Sequence, residues 1–92
     1  AIQRQPKGSD IYIKVARCYR LTGNLDVAVT MIQEAKKRES GNPEVWKESG
    51  LIYKTRGQLD RAIGAFRSYI NLVPNAPDRG QVENQIRSMG GN

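Results

Sequence analysis

The side chains that could do chemistry are few. Cys18 is the single cysteine and histidine is absent, so a thiolate nucleophile would have no imidazole to activate it and the commonest general base is missing. The same two facts exclude an ordinary zinc site. Asp26 and Asp60 recur 34 residues apart, but each stands in the first turn of a predicted helix, where a carboxylate complements the helix dipole. We therefore predict no catalytic residues, no metal, no cofactor and no small-molecule substrate.

The charge balance favours acidic partners. Fifteen Lys and Arg residues against nine Asp and Glu give a net charge of +6, which attracts acidic peptides, nucleic acids and anionic membrane surfaces alike. The content of 38% hydrophobic and 26% charged residues is typical of a soluble globular chain. No apolar run approaches the ~20 residues that a membrane-spanning helix needs, so we expect no membrane insertion. No feature names a compartment, and the cytoplasm is the default expectation.

The apolar residues recur at spacings of three and four, which predicts helices and no strands. Ser9 and Asn42 are predicted N-caps, and Pro43 suits a first helical position. On the first helix we expect a buried stripe of Ile11, Tyr12, Val15, Ala16 and Tyr19. Short turns between the helices predict antiparallel packing of consecutive helices. The predicted helices span residues 10–22, 25–39, 43–56, 59–72 and 78–89, followed by a frayed end at Gly90, Gly91 and Asn92.

An internal repeat underlies this pattern. The stretch Tyr19–Ala28 and the stretch Tyr53–Ala62 share Tyr, Gly, Leu, Asp and Ala in the same five columns, 34 residues apart. Self-similarity at a fixed period of this length indicates a repeat architecture. Gly23 and Gly57 would end the first helix of each unit, since glycine readily takes the left-handed conformation found there.

The repeated units resemble the tetratricopeptide repeat (TPR), whose pattern is W-x2-L-G-x2-Y, A-x3-F and P. Ser49 is the one departure in the second unit, where the family prefers Leu. Ser40 departs in the first unit, where Pro is usual. The second unit matches at Trp46, Gly50, Tyr53, Ala62, Phe66 and Pro74, and the first has Tyr12, Ala16, Tyr19, Ala28 and Ile32 at the corresponding positions.

The resemblance implies an all-α fold of antiparallel helix hairpins in a right-handed superhelix. Residues 9–42 and 43–76 would be the two repeats, and residues 77–92 a C-terminal capping helix with a tail. Residues 1–8 match the end of a repeat's second helix, so we expect a fragment of a longer TPR protein. Gly50 and Ala16 are expected where paired helices cross closely. The aromatic side chains could stack nucleic-acid bases, but their spacing places them on buried faces, and Cys18 is expected to pack between helices.

In TPR proteins the first helices of successive repeats line a concave groove that binds a peptide or helix of another protein. The stripe beside the expected core face is basic, with two aliphatic residues and with Leu21 at its end. Such a stripe suits an acidic segment with an apolar anchor. The expected groove residues are Ile13, Arg17, Arg20, Lys47, Leu51 and Lys54.

The resemblance thus implies a non-catalytic interaction scaffold for an acidic protein or peptide. One TPR subtype grips a terminal carboxylate with Lys and Asn residues, but Ile13, Arg17 and Glu48 stand at those positions, so that mode is not expected. A self-assembly element forming a homo-oligomer is the alternative, because two repeats are fewer than the three usually needed for a stable stack. Nucleic-acid binding is a third hypothesis, suggested by charge.

Overall fold

Five α-helices make up the structure, a computed structural model that describes residues 8–91. The all-α prediction is confirmed, and the described residues contain no strand. Each predicted helix begins and ends within one residue of the observed one. Residues 1–7, predicted to end a preceding repeat, lie outside the described residues. None of the described helices is long and apolar enough to span a membrane. The helices are α1 (Ser9–Thr22), α2 (Leu25–Arg38), α3 (Pro43–Thr55), α4 (Leu59–Leu72) and α5 (Arg79–Ser88).

Glycines end three of the helices in the same way. Gly23, Gly57 and Gly90 take φ values of 87°, 82° and 93°. In each case the glycine N–H and the next N–H donate back to carbonyls three and five residues earlier, which is the Schellman motif. The predicted frayed end is therefore wrong for Gly90 and Gly91. The Gly91 N–H donates to the Ile86 carbonyl at 2.9 Å, and Gly91 is buried.

The helix starts follow the prediction at one position and depart from it at another. Asn42 caps α3 by accepting a hydrogen bond from the Glu44 N–H, and Pro43 is the first residue of that helix. Ser9 is not a cap. It is the fully buried first residue of α1, and its hydroxyl donates to Glu39 instead.

The helices pair into two antiparallel hairpins, α1–α2 and α3–α4, which stack on each other. The core between them is built from small and branched side chains. Three of its seven residues are alanines, and such small residues let the paired helices approach closely. The first cluster contains Ile13, Ala16, Ala28, Ile32, Ala35, Val45 and Ile52.

The buried face of α1 differs from the predicted one. Ile11 is 61% exposed and Tyr19 is 37% exposed, whereas Ile13 is only 4% exposed. Ile13 and Ala16 lie one helical turn apart, and both face α2 and α3. The sequence pattern allowed either stripe, because α1 carries apolar residues on two sides and only packing against the neighbouring helices selects one.

Helix α5 packs on α4. Asp78 precedes it and ties it to the second hairpin, because its carboxylate accepts a hydrogen bond from the Tyr69 hydroxyl at 2.7 Å. The second core cluster contains Phe66, Tyr69, Ala76, Val82 and Ile86.

Candidate functional site

A buried carboxylate joins the first helices of the two hairpins. The Arg17 Nε lies 3.2 Å from one carboxylate oxygen of Glu48, and the Arg20 Nε lies 2.5 Å from the other. The Glu48 side chain is 2% exposed, whereas those of Arg17 and Arg20 are 47% and 18% exposed. Both cations come from α1 and the acid comes from α3. The two arginines therefore supply the charge that a carboxylate needs in a dry position.

Two lysines of α3 reach towards α5 in the same manner. Lys47 Nζ pairs with the Asp78 carboxylate and lies 5.7 Å from the centre of the Tyr69 ring. Lys54 Nζ donates to the Gln85 side-chain oxygen. Arg17 and Glu48 are 31 residues apart, and so are the pairs Lys47–Asp78 and Lys54–Gln85. Cations thus bridge each first helix to the next helix of the row α1, α3, α5.

We call the surface formed by Arg17, Arg20, Lys47, Leu51 and Lys54 the seam face, because these residues line the boundaries between α1, α3 and α5. Five of the six predicted groove residues lie there. Leu51 is partly buried and packs against the second core cluster.

Ile13 does not belong to the seam face. Its side chain is 4% exposed and contributes to the core between the hairpins. The expectation that it offers contact area to a partner is therefore wrong. Leu21 follows Arg17 by one helical turn and is 71% exposed, so it is the large apolar side chain of α1 that is accessible beside the cations.

Sequence reasoning missed the groups that accept from these cations. The sequence pattern gives Glu48, Asp78 and Gln85 no role as acceptors for these cations. The signal that could have found them is the constant separation of 31 residues between a cation and its acceptor. A separation of 31 residues is three residues shorter than the repeat period of 34. Each cation therefore contacts the next helix of the row less than one helical turn before the position that is equivalent to its own.

Two groups at the α5 attachment have shifted pKa values. The hydrogen bond from Lys47, followed by that from Tyr69, lowers the pKa of Asp78 from its ordinary 3.8. Burial, followed by the hydrogen bond to Asp78, raises the pKa of Tyr69 to about 12. Asp78 is thus held charged and Tyr69 neutral. In these states the Asp78 carboxylate accepts the hydrogen bond that the Tyr69 hydroxyl donates, and this bond ties α5 to α4.

The remaining chemical candidates lie apart from one another. Cys18 is exposed, so its expected role in helix packing is wrong. Asp26 is 92% exposed and accepts from Arg56 Nη1 at 2.8 Å. Within residues 8–91 no three His, Cys, Asp or Glu residues are grouped closely enough to hold a metal ion.

Comparisons with protein-family models, with curated proteins and with solved structures found no match. The seam face offers guanidinium and ammonium groups in a row, with the large apolar side chain of Leu21 beside them.

Proposed function

We propose that this chain is a non-catalytic TPR-type scaffold that binds an acidic peptide or helix of another protein on its seam face. The 34-residue repeat and the two stacked hairpins support the TPR assignment. The contact between Gly50 and Phe66 supports it further, because an added Cβ on Gly50 would lie 2.6 Å from that ring. The small residue of the repeat pattern thus stands where two helices cross closely.

The capping role of α5 is part of this proposal. Val82 and Ile86 face the core, while the opposite side of the helix is polar. A terminal unit with a polar outer face is what keeps a repeat stack soluble. The exposed residues of α5 are Arg79, Gly80, Gln81, Asn84, Arg87 and Ser88.

The single observation that carries the binding proposal is the clamp on Glu48. It shows that cations of the seam face hold a carboxylate in a nearly dry position. Arg17 uses only Nε for Glu48, and a guanidinium has four further N–H donors, here on a side chain that is 47% exposed. Lys47 pairs with Asp78 through one of three donors and is 36% exposed. Both can donate to a second carboxylate, supplied by a partner.

An apolar anchor completes the face. Leu21 is 71% exposed and lies one turn along α1 from Arg17. A partner that alternates carboxylates with branched apolar side chains would contact both. Long-range attraction would come from the net charge of +6, and contact area from the leucine.

The test is a binding titration with a fluorescein-labelled peptide of repeated Glu-Glu-Leu. The double variant Arg17→Ala with Leu21→Ala removes one cation of the seam face and the exposed leucine beside it. We expect it to weaken binding by about tenfold, the equivalent of about 1.4 kcal/mol. The matched control is Lys37→Ala with Leu72→Ala, which removes one exposed cation from α2 and one exposed leucine from α4.

The control variant should bind like the original chain. Equal weakening by both variants, or no binding of the peptide at low salt, would contradict the proposal. Random single-stranded RNA serves as a competitor. If RNA binds more tightly than the peptide and its affinity falls steeply with salt, nucleic acid is the partner.

A further inference from the structure

The outer side of α1 carries an apolar strip that corresponds to a buried strip of α3. Ile11, Val15 and Cys18 follow one another at spacings of four and three, so they lie on one side of the helix. Ile11 is 61% exposed, Cys18 is exposed and Val15 is half-buried. We call this strip the outer face.

The repeat shows what such a strip does elsewhere in the molecule. Thirty-four residues after the outer face stand Val45, Ser49 and Ile52, and all three are fully buried. Val45 and Ile52 pack into the core formed with the first hairpin. The outer face of α1 therefore has the size and polarity of a surface that, on α3, is covered by a helical hairpin.

The outer face lacks the buried hydroxyl of its counterpart. Ser49 brings a buried hydroxyl without a hydrogen-bond partner among the described residues, and Val15 stands in its place on α1. Covering Val15 would leave no such group unpaired, so burial of the outer face carries one penalty fewer.

The charge beside the strip is reversed between the two helices. Glu48 flanks the strip of α3 and is held by Arg17 and Arg20 of the covering hairpin. The residue 34 positions before Glu48 is Lys14, which is exposed. A hairpin that covered α1 in the same way would need carboxylates where the first hairpin has Arg17 and Arg20.

We propose that the outer face of α1 is the docking surface for a helical hairpin of the α1–α2 kind, with small and branched apolar residues towards Ile11, Val15 and Cys18 and a carboxylate opposite Lys14. The established interface between the two hairpins continues through this surface by one repeat. The inference does not rest on acidic-peptide binding, because that proposal uses the seam face.

The test appends such a hairpin to the full chain. Residues 9–34 are fused directly before Ala1, so that Ala1 takes the sequence position of Ala35 in the repeat. In the added segment Arg17→Glu and Arg20→Glu supply the carboxylates, and Cys18→Ser leaves the outer-face thiol as the only one. The readout is the rate at which that thiol reacts with a disulfide reagent, with circular dichroism to confirm added helix.

We expect the thiol of the extended chain to react about tenfold more slowly than that of the original chain. One charge-assisted hydrogen bond between the added hairpin and Lys14 is enough to favour the docked state, in which the thiol is covered, by that factor. Adding Ile11→Glu to the full-chain part should restore fast reaction. The same substitution in the unextended chain should leave its unfolding midpoint in urea unchanged, because Ile11 is mostly exposed there.

A charge exchange tests the role of Lys14. An added hairpin that keeps Arg17 and Arg20 should protect the thiol less than the added hairpin that carries two glutamates there. With Lys14→Glu in the full-chain part, the hairpin with the two arginines should protect the thiol better. Equal, fast reaction in all extended chains overturns the proposal. So does a protected thiol in the unextended chain together with sedimentation as a dimer, since a second copy would then be the occupant.

Discussion

The ring of Phe66 fills the space that a side chain on Gly50 would occupy. An added Cβ on Gly50 would lie 2.6 Å from Cε1 and 2.8 Å from Cζ of that ring, closer than real Cβ atoms approach other carbon atoms. Phe66 is 1% exposed and cannot move aside without displacing its neighbours in a packed core. The crossing of α3 and α4 therefore depends on the absence of a side chain at residue 50.

Gly50→Ala should lower the free energy of unfolding by about 1–3 kcal/mol, the usual cost of adding a methyl group to a full core. The measurement is urea unfolding followed by circular dichroism. Gly64→Ala is the matched control, since Gly64 is also helical but an added Cβ would meet nothing within 4 Å. That substitution should raise stability by about 0.5–1 kcal/mol. A loss of stability from both, or from neither, would refute the close crossing.

Glu48→Gln should destabilise the stack of hairpins by about 2 kcal/mol. The amide keeps the size of the side chain but removes the charge that Arg17 and Arg20 share, so the guanidinium of Arg20, which is only 18% exposed, loses its counter-ion. Asp26→Asn is the control, because its carboxylate also accepts from an arginine but is 92% exposed. Water screens that pair, so little or no measurable change is expected. Equal effects in urea unfolding would mean that the clamp contributes no more than a surface pair.

The attachment of α5 should make stability depend on pH at both extremes. The pKa of Asp78 is lowered in the folded chain, so its contribution is present above about pH 4 and is lost as the pH falls below 3.8. The pKa of Tyr69 is raised to about 12, so its contribution is present below pH 10 and is lost between pH 10 and about pH 12.

Asp78→Asn should therefore lower the unfolding midpoint at pH 7, and its difference from the original chain should shrink as the pH falls below 3.8. The measurement is thermal unfolding from pH 2 to pH 8, with Glu83→Gln as control. Glu83 is a carboxylate on α5 that pairs with Arg79 on the same helix. A difference between Asp78→Asn and the original chain that stays constant down to pH 2 would show that the charge of Asp78 does not hold α5.

The sequence by itself determined the five helices and their ends. Periodic apolar residues, Pro43 and the glycines at 23 and 57 act within a few residues of themselves, so local chemistry was enough to place them. The 34-residue repeat also pointed to Gly50 as a close crossing. Helix periodicity also predicted that Arg17 and Arg20 share one side of α1 and that Lys47, Leu51 and Lys54 share one side of α3, because residues three and four apart lie together.

Only the tertiary structure decided which side of α1 is buried and which partners the cations have. Ile11 and Ile13 are equally apolar, and packing against α2 and α3 buries only Ile13. Glu48 is buried between two arginines of another helix, and no local pattern around residue 48 indicates that contact. Contacts between residues some 30 positions apart depend on the distance and angle at which the two hairpins stack. Helix periodicity describes each helix by itself and carries no information about that stacking.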